Sequence, residues 1–298
     1  MPYYSLAFIS RTGYIFNNEN KDVNNQLVRF SMVLINDVLI KDYINGKLKT
    51  HSNEWYFNPP RFLTEPSGDD SIKSKILFCL EVIQNKLEHF TPLNQPAFDE
   101  LFPMWENTEL IVDLIVGFPS PYDAITEKAP DGKTHIVLDV YQLASYDLPP
   151  ERLSAGVNDL LTHEFAHVLI HSQFPVIEDD ENGADYVMAI NAITFDEGLA
   201  HLLSYKSKEL NDTDWSSREL KEIYKRSKIS LKSALAEKDH ERQAALLEAA
   251  ITGDYYDKFA AMSGMFYFAD RWMKDGLHGL KQELALGYRD IARRIFEE

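Results

Sequence analysis

The sequence predicts an α+β protein: a small mixed or antiparallel sheet, one long helix carrying a polar motif, and an all-helical half behind it. Three observations carry that expectation. Runs rich in β-branched residues stand at 109–118 (ELIVDLIVGF) and 134–143 (THIVLDVYQL), which is strand composition. An apolar-periodic stretch at about 151–173 follows DLPPER, whose prolines suit a helix start. From about residue 183 onward the apolar residues recur with helical period.

Taken in order, residues 1–105 form an N-terminal region of unassigned role that mixes helix and loop. Helical spacing is visible over 24–44 and over 71–90, separated by NPPRFLTEPSGDD, which is loop chemistry. Residues 106–175 hold the two strands and the motif helix. The strands are expected to pair as a hairpin across the long connection PSPYDAITEKAPDGK. Pro175 and the acidic stretch EDDENG end the motif helix, and 176–298 form the helical half.

Bulk properties narrow the function. With 298 residues, 45% hydrophobic and 26% charged, the chain has the composition of an ordinary globular protein. A formal net charge of −17 argues against nucleic-acid binding, which needs a basic patch. The one cysteine, Cys79, lies in the apolar run KILFCLEVI and reads as a small core residue. The N-terminus lacks the basic start and apolar core of a signal peptide, and no apolar run reaches membrane-spanning length. The expectation is a soluble cytoplasmic protein with no membrane and no nucleic-acid partner; its oligomeric state is not legible.

The chemistry concentrates in Thr162 to His171, THEFAHVLIH. His163 and His167 lie about 6 Å apart along a helix axis and about 40° apart around it, so both imidazoles converge on one ion. Glu164, rotated about 100° from His163, stands beside that ion and can take a proton from an activated water. This is the physical content of H-E-x-x-H. With 9 histidines in the chain, one chance match is expected in about fifty such sequences. The apolar helix around the motif sharpens it, because burying these polar groups without a metal or partners is costly. His171 is about 12 Å from His163 along the axis, too far to share the ion. Nor does it extend the motif as a metzincin would, since Ile170 and Gln173 occupy the required Gly and His positions. It is expected to be a helix-end residue favoured by the C-terminal dipole.

A hydrolytic site needs a third protein ligand. Asp179, Asp180 and Glu181 fall in the acidic stretch, which reads as solvated surface. Glu197 is the better candidate: it lies on an apolar-periodic helix expected to begin near Thr194, 30 residues after His167. Asp196 and His201 stand close enough to orient a ligand, and Gly264 suits close helix packing.

H-E-x-x-H followed by a helix bearing E-G-L-A (Glu197 to Ala200) resembles the gluzincin zinc metallopeptidases, the superfamily of thermolysin and the one-zinc aminopeptidases, and especially its small bacterial peptidase MA-like members. The resemblance covers about 109–285 and is specific at the two motifs. Asp185 in GADYV is faintly similar to the ligand of the aspartate zincins, whose remaining motif is missing. The gluzincin likeness implies a zincin-like fold, one Zn²⁺ held by His163, His167 and Glu197, and Glu164 as general base and acid. It also implies a tyrosine, Tyr255 or Tyr256, that hydrogen-bonds the tetrahedral oxyanion, and a peptide or protein substrate. Two departures stand out: Thr194 occupies a position where the family often has Trp, and the segment that anchors a free amine in the aminopeptidases is absent. The absence favours an endopeptidase over an aminopeptidase. The strand around His135 to Val140 is the expected sheet edge for an extended peptide. Two rival readings are a zincin-fold protein without peptidase activity, with 1–105 serving partner binding or regulation, and an effector protease with one protein target.

Overall fold

The computed structural model describes residues 33–58, 61–66, 69–120 and 122–297. In chain order its elements are β1 (Val33–Asn36), α1 (Val38–Ile44), α2 (Asp70–Glu88), α3 (Gln95–Leu101), β2 (Leu110–Ile115), β3 (Ala124–Lys128) and β4 (Thr134–Asp139). Then follow α4 (Val140–Ser145), α5 (Pro150–Gln173), α6 (Ile177–Glu181), α7 (Tyr186–Leu203), α8 (Arg218–Ala236), α9 (His240–Ile251), α10 (Phe259–Leu286) and α11 (Ile291–Glu297). The fold is α+β, and the chain packs as two compact units. The described residues of the sheet unit lie between 33 and 91 and between 104 and 160; those of the helical unit are 92–103 and 161–297.

The sheet unit is built on one four-stranded mixed sheet in the order β1-β2-β4-β3. β1 and β2 are parallel, β2 and β4 are parallel, and β3 runs antiparallel to β4. This corrects the expected hairpin. The two strands read from the sequence do neighbour each other, with Val112 opposite Ile136 and Ile115 opposite Asp139, but they point the same way. The antiparallel partner of β4 is β3, which lies inside the expected loop. Its residues AITEK are partly exposed and polar, so they lack the apolar signal that marks β2, buried at all six positions. β4 is therefore internal and has no free edge for a peptide, contrary to expectation; among the described residues the edges are β1 and β3.

The expected helix over 24–44 is also corrected. Residues 24–32 lie outside the described residues, Val33–Asn36 pair with Leu110–Asp113, and only Val38–Ile44 is helical. A short apolar run fits either period, and the neighbouring strand decides it. The helix expected over 71–90 is α2, with Cys79 in its buried face. Burial pushes the Cys79 thiol pKa up to about 12, with the nearby Asp139 adding to the shift.

In the helical unit α7 is the core. Nearly all its residues are buried, as expected of a helix apolar all round. It starts at Tyr186, earlier than the Thr194 read from the sequence, because Asp185 caps it by accepting from Val187 N and Met188 N. α10 crosses α7 at backbone contact. A Cβ on Gly264 would stand 1.8 Å from Thr194 O, and one on Gly198 would stand 2.5 Å from Gly264 Cα. Thr194 itself is fully buried at this crossing, where a tryptophan has no room. Among the described residues no helix is long and apolar enough to cross a membrane.

Candidate metal centre

All three expected ligands lie in the helical unit. α5 contributes His163 and His167 one turn apart, and α7 contributes Glu197. The two Nε2 atoms face each other at 3.1 Å. Glu197 Oε2 lies 3.7 Å from His163 Nε2, and Oε1 lies 3.9 Å from His167 Nε2. Tetrahedral binding at about 2.0–2.1 Å puts donor atoms about 3.3 Å apart, so the observed separations bracket what a small divalent ion requires. Two nitrogens and a carboxylate are also a borderline-soft donor set that suits zinc. Glu164 Oε1 lies 3.6 Å from His163 Nε2, and its side chain is only 3% exposed. Glu197, at 22%, is the most open of the four.

Each of the three expected ligands has a companion from α7 or from Ser204 at its C-terminal cap. Asp196 Oδ1 lies 2.9 Å from His167 Nδ1, close but bent away from good hydrogen-bond alignment, while Asp196 Oδ2 makes an aligned hydrogen bond of 2.8 Å with His171 Nε2. His201 Nε2 stands 3.3 Å from Glu197 Oε2. Ser204 Oγ, which donates to Ala200 O, lies 3.5 Å from His163 Nδ1. Holding the far nitrogen of a ligand imidazole turns the near one toward the ion. His171 stands in the last turn of α5, as expected, and Asp196 ties it to the His167 side of the cluster. His167, His171 and Asp196 are themselves close enough to share an ion. Contacts of 2.8 and 2.9 Å, however, are hydrogen-bond lengths, shorter than an intervening metal allows.

The electrostatics follow from burial and these pairings. Burial, then the neighbouring charges of His201 and His167, hold the His163 pKa well below its usual value. For His167 burial acts downward, but the adjacent Asp196 overrides it and raises the pKa. Burial acts upward on Glu197, yet the His201 hydrogen bond and the imidazoles hold it well below the carboxylate range. A neutral His163 and an ionised Glu197 are the protonation states metal binding requires, whereas His167, raised by Asp196, would release its proton on binding an ion. Lys258, buried at the start of α10, adds a positive charge that also lowers His163 and His201. Neither Lys258 nor Ser204 carries a spacing signal that singles it out in the sequence.

The tyrosines are placed differently. The Tyr255 ring packs edge-on against His201, with centroids 5.2 Å apart. The Tyr256 hydroxyl is engaged by Tyr205 at 2.7 Å. The acidic stretch does not match the solvated loop read from the sequence. It forms α6, where Asp180 accepts a hydrogen bond from the Tyr288 hydroxyl and Glu181 Oε1 is enclosed without a hydrogen-bond partner. Burial, then the charge of Asp196, pushes the Glu181 pKa well up. Asp185 is a helix cap and Asp179 is exposed. No protein-family model, curated protein or solved structure matches this chain.

Proposed function

We propose that this chain is a zinc-dependent peptide-bond hydrolase of gluzincin type with a zincin-like fold, in which His163, His167 and Glu197 hold one Zn²⁺. The observation that carries the reading is the pair of facing Nε2 atoms, 3.1 Å apart, with the Glu197 carboxylate across from them and Glu164 alongside. Two buried imidazole nitrogens so close repel unless a proton or a cation lies between them. Zinc bound there would lower the pKa of a coordinated water toward about 7 and polarise a peptide carbonyl.

The chain's own residues supply the rest. Glu164 takes the proton of the attacking water and returns it to the leaving amine. Asp196 orients His167 and His201 orients Glu197, so the donor atoms are set before substrate arrives. Of the two tyrosines, Tyr255 packs its ring beside His201 with its hydroxyl toward Met265 Sδ at 3.9 Å, while the Tyr256 hydroxyl pairs with Tyr205 at 2.7 Å; Tyr255 is the one proposed to hydrogen-bond the developing oxyanion. The substrate is a peptide or protein, and an internal bond is favoured because the free-amine anchor of the aminopeptidases is absent. The lone buried Cys79 fits a reducing compartment, and the reading places the enzyme in the cytoplasm.

Glu164→Gln tests the assignment. The variant is expected to keep one zinc per chain by elemental analysis and to lose about 10²–10⁴-fold in turnover of a mixed peptide library. Undiminished turnover overturns the mechanism. A zinc-loaded wild type that cleaves no peptide favours instead a zincin-fold binding or regulatory protein.

A further inference from the structure

Beside the proposed metal centre, within the same helical unit, lies a cavity of about 380 Å³. One wall is Glu197, and the others include Glu181 from α6, Ile193 from α7, and Leu247, Glu248 and Ile251 from α9. The volume falls in the range of small-ligand sites. The lining divides by chemistry. Three apolar side chains offer a surface for an aliphatic stem, and two glutamates that are not metal ligands offer carboxyl groups to a cationic head.

Glu181 is the informative residue. Its Oε1 is enclosed and has no hydrogen-bond partner. The neighbouring acids are otherwise accounted for. Asp196 is matched by His167 and His171, and Glu197 by His201 and the two facing imidazoles. A carboxyl oxygen held out of water beside two further carboxylates is unfavourable by both desolvation and repulsion. A cation entering the cavity that Glu181 lines offsets the repulsion among these carboxyl groups. Inorganic cations fit less well, because three of the eight lining residues are isoleucine or leucine, whereas the long side chains of arginine and lysine bury an apolar stem and present a charged head.

We propose that this cavity is a side-chain subsite that receives an arginine or lysine of the substrate, with Glu181 as the specificity-determining residue and Glu248 at its rim. The inference rests on the peptidase reading for its role, but the pocket's preference for a cation can be measured without it. The strongly acidic chain, at −17, would also attract such substrates over longer range.

Two measurements on the zinc-loaded full chain test it. In the first, quenched-fluorescence peptides differ only in carrying arginine, norleucine or glutamate at one of the positions flanking the scissile bond. The ratio of kcat/KM for arginine over norleucine is expected to exceed tenfold at one position. It should collapse toward one in Glu181→Gln and invert toward glutamate in Glu181→Lys. In the second, calorimetry compares Nα-acetyl-arginine amide with its citrulline analogue, which is isosteric and neutral. The arginine compound is expected to bind at least tenfold tighter to the wild type, with the difference lost in Glu181→Gln. Cleavage with no arginine preference overturns the subsite and leaves the peptidase reading standing. Selective arginine binding with no cleavage of any peptide supports the subsite and removes the peptidase reading. No discrimination in either measurement overturns the proposal.

Discussion

The two units each bury a histidine among carboxylates, and the difference between the two clusters separates architecture from chemistry. In the sheet unit His135, 1% exposed, has both ring nitrogens engaged: Nδ1 meets Asp113 Oδ2 at 2.9 Å and Nε2 meets Asp131 Oδ2 at 3.1 Å. Asp113 in turn accepts from Asn36, its register partner on β1, at 2.8 Å. The result is a polar seam across β1, β2 and β4 that fixes strand register. No nitrogen there is left to bind anything. In the helical unit the outer nitrogen of His167 stands 2.9 Å from Asp196 Oδ1 and that of His163 stands near Ser204, while the inner nitrogens of both face one another. A histidine whose nitrogens are all engaged holds a fold together; two histidines turned inward have the arrangement the proposed metal site requires.

That contrast can be broken directly. His167→Ala should abolish zinc binding, taking stoichiometry by elemental analysis from one to near zero. His135→Ala should leave stoichiometry at one but lower unfolding free energy by about 3 kcal/mol, through the cavity and the stranded Asp113. Zinc retained at full stoichiometry in the first variant, or lost in the second, would erase the distinction. Gly264→Ala comes next. The new methyl group has no room against Thr194 O, so α10 must part from α7, with a loss on the order of 3 kcal/mol in denaturant titrations. Zinc affinity should fall with it, since Glu197 adjoins the crossing. The smallest effect is expected for Asp196→Asn, which keeps the shape but removes the charge beside His167 and His171. A 10–100-fold weaker zinc affinity in competition with a chromophoric chelator is expected, with little change in stability.

Much of this arrangement was legible before any coordinates. His163, Glu164 and His167 follow from helix geometry alone, because residues one turn apart must share a face. Glu197 was recoverable because an apolar helix 30 residues on can return alongside the first. What stayed hidden depends on tertiary contact. His171 was set aside as a ligand by helix geometry, and its attachment to Asp196 has no local signature. Glu181 looked like part of a charged surface stretch, and only the packing of α6 beside α7 encloses it. β3 was missed because an edge strand with one wet face carries little hydrophobic signal. The parallel pairing of β2 with β4 depends on that missed strand, which takes the place a hairpin partner would have filled.

The glycine crossing has a kinetic consequence. Two of the proposed ligands ride on one helix and the third on another, so an ion leaves most readily when Glu197 withdraws first. At Gly198 and Gly264 the backbones of α7 and α10 touch with no side chain between them to yield, which holds the helix beneath Glu197 in place. A zinc bound as proposed would then be released by rotation of the partly open Glu197 side chain rather than by movement of its helix, and zinc exchange compared between the wild type and Gly264→Ala measures what that rigidity contributes.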